Sequence, residues 1–289
     1  MRKKRFETKK GNIVYWVNEK KNDDKPQLVF LPGLTADHRL FAKQISYFQN
    51  EFSVFVWDAP GHNESYPFEM DFSLEDKARW LNEILEKEGY DKPVIIGQSM
   101  GGYLGQMYSE LFPNKLMGFV SIDSAPIQKK YYQTWEIKSL ENLEPVYRMY
   151  PWKLLLRHGS DGVASTRHGR ALMYKMMMTY DKNQGRYAKL AGHGFNMVAE
   201  AIKKDLPYEI NCPALLICGT KDHAGYTLKY NREWNHHSGI PIEWIKGAGH
   251  NSNTDEPEKI NLIIEDFLVK ELQGLRERSS KEQYRVTGL

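Results

Sequence analysis

The sequence predicts an α/β protein built on a mostly parallel, doubly wound sheet. Short apolar runs recur, among them Leu28-Val29-Phe30-Leu31, Val94-Ile95-Ile96 and Leu215-Leu216-Ile217. They lack polar alternation, as expected of strands covered on both faces. Stretches with helical period lie between them. Each run ends in a loop rich in glycine, proline or aspartate. Strands that alternate with helices at short spacing indicate a parallel sheet.

Taken in order, residues 13–17 form a first strand after Gly11-Asn12, and Asp23-Asp24-Lys25-Pro26 a turn. Residues 27–31 form a buried strand ending at Pro32-Gly33-Leu34-Thr35, and residues 38–48 suit a helix. A strand over 52–57 ends at Asp58-Ala59-Pro60-Gly61-His62-Asn63-Glu64-Ser65, a breaker-rich loop. Ser73 with Asp76 resembles a capping box, and Leu74, Ala78, Leu81 and Leu85 continue one helical face to about Gly89. The run from Val94 enters Gly97-Gln98-Ser99-Met100-Gly101. A helix carrying Leu104, Met107, Tyr108 and Leu111 follows and stops before Pro113. Residues 116–122 form the next strand, ending at Asp123-Ser124-Ala125-Pro126.

The rhythm then breaks. Residues 127–205 contain no convincing buried strand but helical stretches over 134–150, 152–158, 164–180 and 187–204, crowded with methionine and aromatics. A helical insertion after a strand end reads as a lid over the C-terminal edge of the sheet, where ligands bind in open α/β sheets. Strands resume at 213–218, ending at Gly219-Thr220-Lys221-Asp222, and at 242–245, ending at Gly247-Ala248-Gly249-His250. Pro257 opens a last helix with Ile260, Ile263, Ile264, Phe267 and Leu268 on its apolar face. The expected division is a core over 1–126, a helical cap over 127–205, the rest of the core over 206–275 and a polar tail over 276–289.

Composition narrows the function. The 289 residues suffice for a substantial core, and 41% hydrophobic content is that of an ordinary globular chain. A net charge of +3 gives no case for nucleic acid or an anionic membrane as main partner. The basic start, Met1-Arg2-Lys3-Lys4-Arg5, lacks a following apolar segment and reads as a solvated tail. No run is long and apolar enough to span a membrane. Cys212 and Cys218 match no zinc or redox spacing, and Cys218 reads as a small buried residue. No His/Asp/Glu cluster stands at metal spacing, so neither metal nor cofactor is expected. A small-molecule substrate and a reducing cytoplasm are the simplest expectations.

The spacing G-x-S-x-G around Ser99 has a steric reason. A strand that reverses into a helix at a serine leaves no room for side chains two residues before and after it. The turn lifts the hydroxyl out of the sheet beside the free N–H groups of the helix. A glycine-rich turn with an idle serine would read the same, so the other strand ends decide. Five segments, each at a strand end and in the right order, resemble the α/β-hydrolase family over about residues 12–272. Gly97-Gln98-Ser99-Met100-Gly101 is similar to its nucleophile elbow, which implies Ser99 as nucleophile. Gly219-Thr220-Lys221-Asp222 resembles the acid loop, implying Asp222. Gly249-His250 followed by Asp255-Glu256-Pro257 resembles the base loop, implying His250. Leu31-Pro32-Gly33-Leu34 resembles the oxyanion loop, implying backbone N–H donors from Leu34 and Met100. Asp58 to Ser65 resembles D-x-x-G-x-G-x-S, with Asn63 in place of the second glycine, a residue that tolerates positive φ.

The chemistry agrees. A serine hydroxyl needs a base within hydrogen-bond reach, and the base needs an acid to hold its tautomer. Asp123, at the preceding strand end, is an alternative acid. His62 and the pair His236-His237 read as structural, His223 as pointing elsewhere, and Ser160-Asp161 as a turn. His193 and Met176 are the candidate substrate contacts in the cap. Serine at the elbow disfavours the haloalkane dehalogenases and epoxide hydrolases of this family, which use aspartate there. The resemblance implies hydrolysis of a small to medium apolar acyl ester through acyl-Ser99. An aminopeptidase, carbon–carbon hydrolase, lyase or cofactor-free peroxidase would use the same three residues, and a non-catalytic ligand binder would keep the fold.

Overall fold

The computed structural model describes residues 1–19 and 25–270. Eight strands form one sheet. β1 (Arg2–Thr8) and β2 (Gly11–Val17) pair antiparallel, and β2 pairs antiparallel with β4 (Ser53–Asp58). From β4 onward the sheet is parallel through β3 (Gln27–Leu31), β5 (Val94–Gln98), β6 (Gly118–Ile122), β7 (Ala214–Gly219) and β8 (Ile242–Ile245). The spatial order is thus β1-β2-β4-β3-β5-β6-β7-β8. The parallel strands β4, β5 and β6 are buried along their whole length, which explains their unbroken apolar runs.

Helices cover both faces. α1 (Ala42–Phe48) follows a 3₁₀ turn at His38–Phe41. α2 (Leu74–Lys87) opens on the expected capping box between Ser73 and Asp76. α3 (Met100–Leu111) leaves the serine turn. Between β6 and β7 stand five helices: α4 (Thr134–Leu140), α5 (Glu144–Met149), α6 (Trp152–Val163), α7 (Arg167–Met177) and α8 (Gln184–Lys203). α9 (Thr227–Ser238), the short α10 (Ser252–Asp255) and a helix over residues 257–270 (α11) complete the core. Two apolar clusters lie on opposite faces of the sheet. One gathers Trp57, Leu81 and Leu104, the other Phe30, Val120 and Ile264.

Three local expectations are corrected. The basic start is not a solvated tail but the edge strand β1, paired from Arg2↔Val17 to Thr8↔Gly11. Its charges belong to an edge, where alternate residues face water while Phe6 packs on the core. The helix expected over 134–150 is two, because Asn142 takes φ 57° between them. Ser160 and Asp161 are inside α6, where Ser160 is buried and its hydroxyl donates to the Arg157 carbonyl at 3.1 Å. The turn expected at Asp23 lies partly, and the polar tail wholly, outside the described residues. No helix among the described residues is long and apolar enough to cross a membrane.

Candidate active site

β5 delivers Ser99 at its C-terminal end with φ 50° and ψ −114°, a backbone conformation L-residues rarely hold. The glycines of the pentad show why it survives. A Cβ on Gly97 would sit 2.3 Å from the Gly101 carbonyl oxygen, and one on Gly101 only 1.9 Å from that of Leu31. The neighbouring strand and the elbow touch backbone to backbone. The Ser124 hydroxyl donates to the Ser99 carbonyl at 2.7 Å, which ties the elbow to the end of β6.

Ser99 Oγ lies 2.8 Å from His250 Nε2, and His250 Nδ1 lies 2.8 Å from Asp222 Oδ2. Strands β5, β7 and β8 bring these three residues together. The other Asp222 oxygen accepts the Ala224 N–H at 2.8 Å. Burial pulls the His250 pKa down, but the charge and hydrogen bond of Asp222 and the charge of Asp123 outweigh it, holding the imidazole above its ordinary value. Such a chain can lower the barrier to proton removal from a serine hydroxyl.

Asp123 takes no part in that chain. It is fully buried at φ 48°, and its two oxygens accept the N–H groups of Gly219 and Ser252, each at 2.8 Å. It thereby joins the loop carrying Asp222 to the loop carrying His250. Burial, then the charge of Asp222, push its carboxyl pKa upward. Gln98 does similar work, donating to the His250 carbonyl at 2.8 Å. Asp255 accepts Gly249 N–H at 2.8 Å with one oxygen. It also accepts Ser165 N–H, Thr166 N–H and the Thr166 hydroxyl, joining the His250 loop to the start of α7. The positioning roles of Gln98, Ser124 and Asp255 escape a sequence reading, because their partners come from distant loops.

A cavity of about 470 Å³ opens on Ser99 and His250. Leu34 and Met100 both line it. Met100 is the first residue of α3, so its N–H has no acceptor within the helix. Thr35 sits beside them at φ 63°, unusual for a β-branched residue, and lines the cavity together with Tyr187 of α8. Met173 lines the cavity; Met176 instead is buried in an apolar cluster. His193 lies outside the lining, edge-on to Phe72 at 4.6 Å, and burial pulls its pKa down to about 4. His62 is buried with Nδ1 3.1 Å from the Pro60 carbonyl, while His223, His236 and His237 are exposed. Asn63 holds its turn at φ 30° and donates to Asp58 at 2.8 Å.

Two groups of potential metal ligands do converge, unlike the sequence expectation: Asp37, His38 and Asp58, and Asp123, Cys218 and Asp222, with their ligand atoms within 4.8 Å in each group. Folding, not sequence spacing, brings them together. Their carboxylates already serve as acceptors. Asp37 is held by Arg39, and Asp58 by His38, Asn63 and Glu64.

The sheet order and the residues gathered at its edge define a class, the hydrolases of the α/β type. The alpha/beta hydrolase fold family matches residues 26–257, and the chain belongs to it. Among curated relatives, epoxide hydrolase 1 of Caenorhabditis elegans is 23% identical over 272 residues, which cover 86% of this chain and 66% of that protein. The (E)-2-((N-methylformamido)methylene)succinate hydrolase of Acinetobacter baylyi is 23% identical over 246 residues, or 83% of this chain and 89% of that one. A thermophilic esterase from Thermogutta terrifontis superposes with a TM-score of 0.74 at 17% identity, covering 94% of this chain and 99% of the esterase.

Proposed function

We propose that this hydrolase cleaves a carboxylic ester through an acyl-Ser99 intermediate. The observation that carries the reading is the unbroken chain Ser99–His250–Asp222, with 2.8 Å at both links, opening on a cavity. Ser99 Oγ attacks the ester carbonyl carbon while His250 Nε2 takes its proton. The N–H groups of Leu34 and Met100 receive the oxyanion of the tetrahedral intermediate. That intermediate collapses with cleavage of the bond to the leaving oxygen, which takes the proton from His250. Water, deprotonated by the same imidazole, then cleaves the acyl-serine to release the acid and restore Ser99. Asp222 holds the tautomer and stabilises the imidazolium.

Helices α4 to α8 serve as the cap, and a cavity of this size suits a small to medium acyl group. The Acinetobacter baylyi relative is named for a succinate, whose carboxylates would call for a cation in the site. Here no lysine or arginine is among the described residues lining the cavity, which supports an uncharged acyl group instead. Serine at the elbow favours ester cleavage over the epoxide opening for which the Caenorhabditis elegans relative is named.

Ser99→Ala should abolish hydrolysis of p-nitrophenyl butyrate, and a fluorophosphonate should label wild type once, at Ser99. Retained turnover in the variant would refute the nucleophile. A folded wild type that neither turns over esters nor accepts the label would instead be a ligand binder.

A further inference from the structure

The cavity has a charge of its own. Its lining includes the ionisable pair Asp123 and His250, both engaged at the sheet edge, and a third ionisable residue, Glu136 of α4. Glu136 is only 5% exposed. One of its oxygens accepts the Gln133 N–H at 2.6 Å as part of the helix cap, and its carboxylate lies close enough to the Tyr230 hydroxyl to help hold that phenol protonated. A carboxylate has about four lone-pair positions, so these contacts do not exhaust its acceptor capacity.

Tyrosines line the cavity along with that carboxylate. Tyr132 and Tyr230 pack with ring centroids 4.6 Å apart, and Tyr226 completes the wall; all three line the cavity. The site already tolerates an ammonium group. From outside, the half-exposed Lys229 brings Nζ to 3.8 Å from Glu136, 5.4 Å from the Tyr230 ring and 5.9 Å from that of Tyr226. A buried carboxylate among tyrosine rings can bind an alkylammonium group, by charge and by cation–π attraction. It repels a carboxylate or phosphate.

Building on the hydrolase reading above, we infer that Glu136, with Tyr132, Tyr226 and Tyr230, selects esters carrying an alkylammonium group in the part remote from the scissile bond. Glu136 is a specificity residue and takes no part in bond cleavage. Lys229 partly neutralises it and competes with the substrate cation.

The test compares two butyrate esters of matched shape, one with a trimethylammonioethyl alcohol and one with the uncharged 3,3-dimethylbutyl alcohol. Wild type should favour the cation in kcat/KM by about tenfold. Glu136→Gln keeps a capping acceptor at that position, so α4 should persist. It should bring the ratio close to one while leaving the uncharged ester within about twofold of wild type. Lys229→Met should raise the ratio. A wild type without preference, or a preference that Glu136→Gln does not change, would overturn the inference. Calorimetric binding of phenyltrimethylammonium separates this from a failure of the ester reading. If neither ester turns over and the fluorophosphonate leaves Ser99 unlabelled, binding to wild type that Glu136→Gln abolishes still supports the cation site. Absence of binding to wild type refutes it.

Discussion

At the C-terminal edge of the sheet, the side chains around Ser99 are fixed by short hydrogen bonds to backbone or to one another. Asp222, Asp123, Gln98 and Asp255 together accept or donate nine of them at 2.7–2.8 Å. The helical segment that completes the cavity is built otherwise. Tyr147, Tyr187, Phe195 and Met173 reach the cavity from it as apolar surface, and Glu136 is its one charged lining residue among those described. The difference teaches a division of labour. Chemistry demands atoms fixed to fractions of an ångström, which directional bonds supply. Selectivity demands shape and sign of charge, which non-directional packing supplies and easily varies.

The largest effect should come from breaking the chain at the edge. Asp222→Asn keeps the shape but offers the imidazole an amide in place of a carboxylate, so the tautomer is no longer fixed. We expect kcat to fall roughly 10⁴-fold, with KM little changed. The pH profile carries a second signature. The proposed mechanism needs neutral His250, and this imidazole is held above its ordinary pKa mainly because Asp222 outweighs burial. Wild-type activity should therefore decline on acidification from a pH above the usual histidine range. In Asp222→Asn, burial is left with less opposition and the residual activity should persist to lower pH. Steady-state kinetics from pH 5 to 9 measure both; an unmoved acid limb would show that another group sets it.

Asp123→Asn tests the joint between loops instead of the chain itself. The amide keeps one acceptor, so either Gly219 or Ser252 N–H loses its partner in a buried site. Such a loss costs about 1–3 kcal/mol, or roughly five- to 150-fold. The fall should appear in kcat and in stability together, because the joint holds both loops. A variant with wild-type kcat would mean that β7 and β8 alone place Asp222 and His250.

The same contrast explains how much the sequence could tell. Ser99, Asp222 and His250 stand in motifs because backbone contact leaves no alternative: any side chain at Gly97 or Gly101 in the elbow, or at Gly219 where the Asp222 loop meets the His250 loop, collides with main-chain atoms. Position along the chain thus encodes position at the edge. Strand β1 hides in the sequence because its unbroken basic run, Arg2-Lys3-Lys4-Arg5, suits a solvated tail as well as an edge. Asp123 is legible only as a spare acid, since its partners are backbone N–H groups that no side chain announces. Glu136 is illegible for a similar reason. Its capping pattern with Gln133 accounts for it locally, and only tertiary packing turns it toward the cavity. His193 and Met176 stand out by composition, yet helix rotation places Met173 at the cavity instead.

Asp255 crosses the divide, joining the His250 loop to the start of α7. Asp255→Asn should leave one of those N–H groups without an acceptor and lower kcat by roughly five- to 150-fold. If the helical segment only shapes the cavity, the loss should be confined to KM, and stopped-flow acylation with p-nitrophenyl butyrate separates the two.

The smallest effect on chemistry should come from Lys77, where α2 meets α8. Lys77 is buried, and burial alone pushes its ammonium down to about 8 from its usual value of 10.5. His62 of the core and His193 of α8 are held down first by burial and next by the charge of Lys77. Three basic groups thus share one junction. Below pH 8 the folded and unfolded chains both carry the Lys77 proton, and folding bears the full cost of burying it, about 3 kcal/mol. Between about 8 and 10.5 the unfolded chain binds a proton that the folded chain has released, so stability from this group rises with pH. Lys77→Met fills similar space without charge and should stabilise the fold at pH 7 by about 1–3 kcal/mol, with ester turnover unchanged. Urea unfolding of both proteins at pH 7 and pH 10 measures the gap, which should shrink at the higher pH. A constant gap would mean that the methionine variant gains by packing and that the Lys77 charge is already compensated.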